Sequence, residues 1–333
     1  MKNLSDLFKG IEGVNLLKDE DDLPIQGYFD TGSYAMNKAV GGTYNSGYAI
    51  GGIIEIMGDS STGKTAFITQ AFAEAQKKGY YCVIVDNEFT YSPLFAKNFG
   101  VDPEKVVYTA PISIAECFDT IEKIIKAIRE EDKDTPILIG YDSIAGASKA
   151  EMEKESYKDF SMTDGAIRAQ ETGKCLRKIN PILSKNKATL LVINQIRSKV
   201  GVMYGSPDTR SGGGRALEFY CKTCIKTSVS KSKGRLLDDF DRPIGITGTI
   251  KCEKNKVATP FQEAEFKLLF DKGLDRVAGL LPSLVADKVV LQAGAWYTIG
   301  ANGVKFQSAN FDANYLDLSN KDFEVLREHV KNN

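Results

Sequence analysis

Histidine is almost missing from this chain: its 333 residues contain one, His329, within the last five positions. A Ser–His–Asp triad, a Cys–His dyad or a multi-histidine metal site therefore lacks its central component. His329 itself reads as an exposed residue on a terminal helix. There is no run of about 18 or more apolar residues, so no membrane span is expected. The first residues, MKNLSDLFKGIEG, lack the continuous apolar core of a secretory signal. Net charge is also scarce, at −1. A wholesale electrostatic grip on nucleic acid is not expected from that total, and any such binding must come from local basic loops. Six cysteines without a dense framework suggest reduced thiols and a cytoplasmic setting.

What is present is a soluble-protein composition, 42% hydrophobic, long enough for two domains or one domain with a satellite. Residues 1–30 are mixed and charged, and read as a short helix plus a linker. From Ile53 short apolar runs alternate with helical patterns. The runs are Ile53–Met57, Tyr81–Val85, Ile137–Tyr141 and Ala188–Ile193, the last ending at Asn194–Gln195. Residues 66–76 carry apolar residues at helical spacing. Between 113 and 129 a clearer stripe runs through Ile114, Cys117, Phe118, Ile121, Ile125 and Ile128, with Ser113 and Glu116 as a capping box. Nearly all-apolar strands separated by helices predict an α/β fold with a mostly parallel sheet covered on both faces. Residues 220–270 read as strand-rich, and those from about 275 as a small α/β unit.

Gly58-Asp59-Ser60-Ser61-Thr62-Gly63-Lys64-Thr65 satisfies G-x-x-x-x-G-K-[ST] between a strand and a helix. Its backbone N–H groups and the following helix N-terminus suit phosphate oxygens. Lys64 is expected on the β- and γ-phosphates, and Thr65 on Mg²⁺. The loop thus predicts binding of ATP with Mg²⁺. Asp142, at the end of Ile-Leu-Ile-Gly-Tyr-Asp, is placed to hold Mg²⁺ through water, and Glu88 to polarise an attacking water. Ligands of open parallel sheets sit at the carboxyl ends of strands, where these acids converge. Taken alone, Asp142 also reads as a helix N-cap and Glu88 as a loop acid.

Several stretches together resemble the RecA family of bacterial and phage DNA recombinases, over residues 29–312. They are FDTGS (29–33), GIIEIMGDSSTGKT (52–65), VDNEFTYSPLFAKNFGVD (85–102), YDSIAGASKAEME (141–153), INQIRSKVGVMYGSPDT (193–209), KNKVATPFQEAEF (254–266) and QAGAWY (292–297). The resemblance implies a RecA-like ATPase core. It makes Glu88 the catalytic glutamate, Gln195 a γ-phosphate sensor at the start of a DNA-binding loop, and Phe95 an aromatic that stacks on adenine. It makes Lys254 and Lys256 a pair that reaches the γ-phosphate of a neighbouring subunit, and Phe219 a relay between subunits. Without the resemblance the two lysines read as a solvated strand end.

The DNA-contacting stretch is expected from Ile196 to Gly214. Arg197, Lys199 and Arg210 would meet phosphates, with Val200, Met203 and Tyr204 between them, a mixture suited to a stretched single strand. Alone, the same stretch reads equally as an ordinary surface loop. A first DNA loop is expected near 156–165 with Met162 as a wedge, and Arg168 and Arg177 on the helix after it add phosphate contacts.

The resemblance is uneven. The acid expected near Ser92 to read the adenine amino group is absent, Glu218 stands where the bacterial pattern has lysine, and the segment before FDTGS matches poorly. The chain stops at Lys331-Asn332-Asn333 without an acidic tail, which predicts freer loading on duplex DNA. These departures suit a phage-type or divergent member. Cys221 and Cys224 form a lone C-x-x-C. Read as strand residues they would face opposite sides, and with too few ligands for zinc they are expected to be buried structural thiols.

The expected division is an N-terminal oligomerisation segment (1–30), an ATPase and DNA-binding core (31–273) and a small C-terminal domain (274–333). The leading functional expectation is a DNA-dependent ATPase that forms filaments on single-stranded DNA and exchanges strands with homologous duplex. Single-strand-binding or mediator proteins are further expected partners. The alternatives are a RecA-fold mediator or regulatory ATPase without strand exchange, and a hexameric helicase of the same fold.

Overall fold

The structure is a computed structural model that describes residues 25–147, 164–198, 208–210, 214–230 and 234–333. A short strand β1 (Tyr28–Phe29) pairs with β2 (Tyr48–Ala49) around helix α1 (Tyr34–Gly41). The next strand, β3 (Gly52–Gly58), is buried along its whole length, which explains why its sequence is apolar on both faces rather than alternating. It feeds α2 (Lys64–Lys77) through the phosphate loop. Then follow β4 (Tyr81–Asp86), α3 (Pro93–Asn98), β5 (Val106–Thr109), α4 (Ile114–Glu131) and β6 (Ile137–Asp142). Both halves of the α4 capping box form: Ser113 Oγ accepts from Glu116 N at 3.3 Å, and Glu116 Oε2 accepts from Ser113 N at 3.2 Å.

Helix α5 (Asp164–Lys185) leads to β7 (Ala188–Ser198), which runs on past the expected end at Asn194–Gln195. Asn194 and Gln195 are strand residues, in register with Met57 and Gly58 of β3. Ile196–Ser198 then pairs antiparallel with β8 (Asp208–Arg210). Next come α6 (Gly214–Tyr220), β9 (Thr223–Ser228), β10 (Arg235–Leu237), β11 (Pro243–Asn255), β12 (Glu263–Leu269) and β13 (Gly273–Leu274). The central sheet runs β13-β12-β11-β9-β3-β7-β6-β4-β5. The six strands from β9 to β5 are parallel, and the other three extend the sheet antiparallel.

One face of this sheet packs Ile54 and Ile56 against α1 and α2, with Phe67 and Phe72 central. The other face packs Ile53 and Met57 against α4, α5 and α6. The remaining residues form α7 (Leu280–Ala286), the meander β14 (Val290–Ala293), β15 (Trp296–Ile299) and β16 (Lys305–Gln307), then α8 (Phe311–Leu316) and α9 (Glu324–Asn332). They enclose a separate core of Phe306, Phe311, Phe323 and Leu326, into which Tyr44 also packs.

His329 is not the free surface residue expected. Its ring packs edge-on against Tyr44 at 5.9 Å, and its Nε2 lies 3.4 Å from Asp287 Oδ2, beside Lys38.

Candidate nucleotide site and subunit face

A cavity of about 800 Å³ opens at the carboxyl ends of the parallel strands, lined by the whole of Asp59–Thr65. The turn needs glycine at two places. Gly63 has φ 87°, and a Cβ there would also press on Leu268 at 3.2 Å. At Gly58 a Cβ would lie 2.7 Å from the Thr227 carbonyl oxygen. Thr227 Oγ1 donates to the Thr62 carbonyl at 3.1 Å, tying the loop to β9.

Lys64 is buried and folds back over its own loop, donating to the Gly58 and Asp59 carbonyls at 3.1 and 2.6 Å. Burial lowers its pKa, against the pull of Asp142, Glu88 and Asp59. Thr65 Oγ1 donates to Asp142 Oδ2 at 2.5 Å. Burial pushes the Asp142 carboxyl up to about 6, with Glu88 and Asp86 adding to the rise while Thr65 and Lys64 oppose it. A hydroxyl touching a buried, charge-starved carboxylate is a donor set suited to a hard divalent cation.

Glu88 lies just past β4. Its Oε1 accepts from Ser143 Oγ at 2.6 Å and from Gln195 Nε2 at 3.3 Å. The strand-borne amide of Gln195 thus touches the Glu88 carboxylate directly, while Asp142, hydrogen-bonded to Thr65, feels only the charge of Glu88. Asp86 supports it from behind: its Oδ1 accepts from Glu88 N and its Oδ2 from Tyr91 N. Phe95 borders the cavity with Phe99 tilted against it, ring centroids 4.7 Å apart at an interplanar angle of 50°. Ser143, Phe99, Phe270, Arg235 and Ile246 also belong to this neighbourhood and were missed by sequence reasoning. Ser143 directly follows Asp142, and that adjacency was the one available signal. Phe270 and Arg235 arrive from strands and turns far along the chain with no local motif.

On the opposite side of β9, Lys254 Nζ donates to the carbonyls of Glu218 and Phe219, the latter at 3.1 Å, and so closes the C-terminal end of α6. Lys256 lies 6.0 Å from the ring of Phe219, which is 70% exposed. The expected inter-subunit residues are thus neighbours, some distance in the fold from their own chain's phosphate loop.

Among the expected DNA residues, Met162, Lys199, Val200, Met203 and Tyr204 lie outside the described residues. Arg197 and Arg210 are placed by backbone alone, on β7 and β8. Arg168 turns inward, its Nη2 donating to the Ala145 carbonyl at 2.9 Å. Arg177 is exposed, and its Nε donates to Tyr220 Oη at 3.1 Å. The cysteine pair departs from expectation in one respect. Cys221 precedes β9 rather than lying in it, so strand alternation does not separate it from Cys224. Both thiols are fully buried on the same face of the sheet. No helix of the described residues is long and apolar enough to cross a membrane.

The family model described as the RecA N-terminal domain matches residues 2–275. Protein RecA of Mycoplasmopsis pulmonis (strain UAB CTIP) is 33% identical over 325 residues, 96% of this chain and 89% of that one. Protein RecA of Mycoplasma mycoides subsp. mycoides is 34% identical over 306 residues, covering 89% and 83%. Protein RecA of Streptomyces avermitilis is 33% identical over 325 residues, covering 96% and 81%. A mostly parallel sheet with its phosphate loop, two strand-end acids and a strand-borne glutamine agrees with those matches, and the chain belongs to the RecA family.

Proposed function

We propose that this chain is a RecA recombinase that couples ATP hydrolysis to filament formation on single-stranded DNA and to strand exchange with homologous duplex. The observation that carries the coupling is the 3.3 Å contact of Gln195 with Glu88. Gln195 sits on β7, whose next residues pair with β8 and begin the expected DNA stretch. One strand therefore joins the hydrolytic carboxylate to the DNA side.

Thr65 and Asp142 would hold Mg²⁺, which supplies charge neutralisation to the phosphates. Lys64 exchanges its bonds to the loop carbonyls for phosphate oxygens. Glu88, oriented by Ser143, polarises a water toward the γ-phosphorus and takes up its proton. Phe95 and Phe270 sandwich or flank the base in the apolar part of the cavity. Lys254 and Lys256, displayed with Phe219 at the far side of β9, would act on the phosphates of a second subunit, so that hydrolysis depends on assembly. Residues 1–30 would dock on that neighbour, 31–273 form the working core and 274–333 a small appended domain. The setting proposed is cytoplasmic.

ATPase assays with and without single-stranded DNA test this reading, together with strand exchange by Lys64→Ala. DNA-stimulated turnover that disappears, along with exchange, in the variant is the expected result. Turnover indifferent to DNA, or exchange that survives Lys64→Ala, refutes it. Each DNA phosphate neutralised should add roughly −0.7 to the log–log salt slope of single-strand binding.

A further inference from the structure

The C-x-x-C pair has no part in the nucleotide chemistry, yet it is not alone. The two thiol sulfurs and a carboxylate oxygen of Glu55 all lie within 4.8 Å of one another. Glu55 and Cys224 are register partners on adjacent strands, and Cys221 enters from the end of α6. Each of the three residues is 0% exposed. We propose that Glu55, Cys221 and Cys224 form a buried binding site for a thiophilic divalent cation of the zinc type.

Four observations lead there. The first is distance. Sulfur and oxygen ligands around one zinc ion lie at about 2.3 and 2.0–2.2 Å from the metal, hence roughly 4 Å or less from each other. The observed separations, all within 4.8 Å, approach that. The second is desolvation. Glu55, Cys221 and Cys224 all lie in the interior, and a cation held by the three would offset the cost of keeping a carboxylate away from water. The third is support: Asn194 Nδ2 donates to Glu55 Oε1 at 2.9 Å, the kind of outer contact that fixes a ligand carboxylate. The fourth is charge. Two thiolates and a carboxylate around a divalent ion leave one negative charge, and Lys254, the register partner of Cys224 on β11, stands beside the group to balance it.

Ligation by thiolates displaces protons: each S–H gives its proton to solvent as its sulfur–metal bond forms, two per ion. With three protein ligands the fourth position is left for water or a small exogenous ligand. A bound ion would fasten the end of α6, which carries Phe219, to β3, which runs directly into the phosphate loop. This site stands independently of the recombinase reading.

The test uses the full-length, fully reduced protein, refolded with cadmium because the ligands are buried and uptake by the native state is slow. One equivalent of cadmium, a thiolate-to-metal charge-transfer band, release of two protons and an upward shift of the thermal midpoint are expected. Cys221→Ser and Cys224→Ser should each lose the band. Cys252→Ser should keep it, since Cys252 packs in the cluster on the other face of the sheet. Should the serine variants not fold, X-ray absorption at the cadmium edge of the unmutated protein decides. Two sulfur neighbours with oxygen support the site. An all-oxygen or all-nitrogen shell, a band that survives loss of both Cys221 and Cys224, absence of stoichiometric uptake, or a Cys221–Cys224 disulfide in the protein as isolated under reducing conditions would each overturn it.

Discussion

Replacing Asp142 by asparagine should stabilise the nucleotide-free chain while disabling it. Asp142 is 4% exposed and faces the carboxylates of Glu88 and Asp86, opposed by Lys64 and by the Thr65 hydroxyl. Burial raises its pKa from the ordinary 3.8 to about 6. The folded state thus holds that proton more tightly than the unfolded state. Stability is greatest when the group is protonated and falls as pH rises from about 4 through about 6. At about 1.4 kcal/mol per pH unit, the ionised carboxylate costs about 3 kcal/mol at neutral pH. Asparagine keeps an oxygen for Thr65 Oγ1 and carries no charge. With an unfolding entropy of about 2.1 cal/mol/K per residue, that energy corresponds to about 4 °C in a chain of this length. Calorimetry without nucleotide or divalent cation, from about pH 3.5 to about pH 8, should show Asp142→Asn melting higher at the alkaline end and the two proteins converging only near the acid end, at or below about pH 4. With Mg²⁺ and ATP the unmutated chain should regain the difference and the variant should not. A variant that melts at or below the parent at about pH 8, or a gap that persists on acidification, refutes the assignment of buried charge to this group.

Glu88→Gln should reduce DNA-stimulated turnover by roughly 10²- to 10⁴-fold while nucleotide binding, followed by equilibrium titration, remains close to that of the parent. Phe95→Ala should weaken nucleotide binding roughly tenfold or more, from loss of base stacking worth about 1–3 kcal/mol, with little change in turnover at saturation. Ser113→Ala should remove the α4 capping box and cost about 1 kcal/mol in urea unfolding, leaving ATPase activity at saturating nucleotide unchanged.

The most legible parts of the sequence were those in which one local pattern has one physical cause. The phosphate loop and the buried strands are of this kind, as is the Ser113–Glu116 cap, because glycine spacing, two-sided burial and capping each act over a few residues. The last residues of β7, Ile196–Ser198, were not legible because the polar Asn194 and Gln195 read as the strand's end. A strand continues as long as its neighbours supply ladder bonds, and β3 and β8 supply them through Ser198. Ser143, Phe270 and Arg235 were illegible since their place in the site is created only when distant strand ends converge. The Cys221–Cys224 relation failed for a related reason: the alternation rule was applied across a helix–strand boundary, where it does not hold.

The ammonium of Lys254 has three N–H bonds, and the isolated chain already commits it to the carbonyls of Glu218 and Phe219. In the assembly proposed above, phosphate oxygens of another subunit would compete for the same hydrogens. Joining subunits then amounts to swapping one set of acceptors for another, with little net gain in hydrogen bonding. Such a swap is readily reversed, and it releases the end of α6 as each junction forms. A polymer jointed in this way would assemble and come apart subunit by subunit without any single junction becoming a permanent weld.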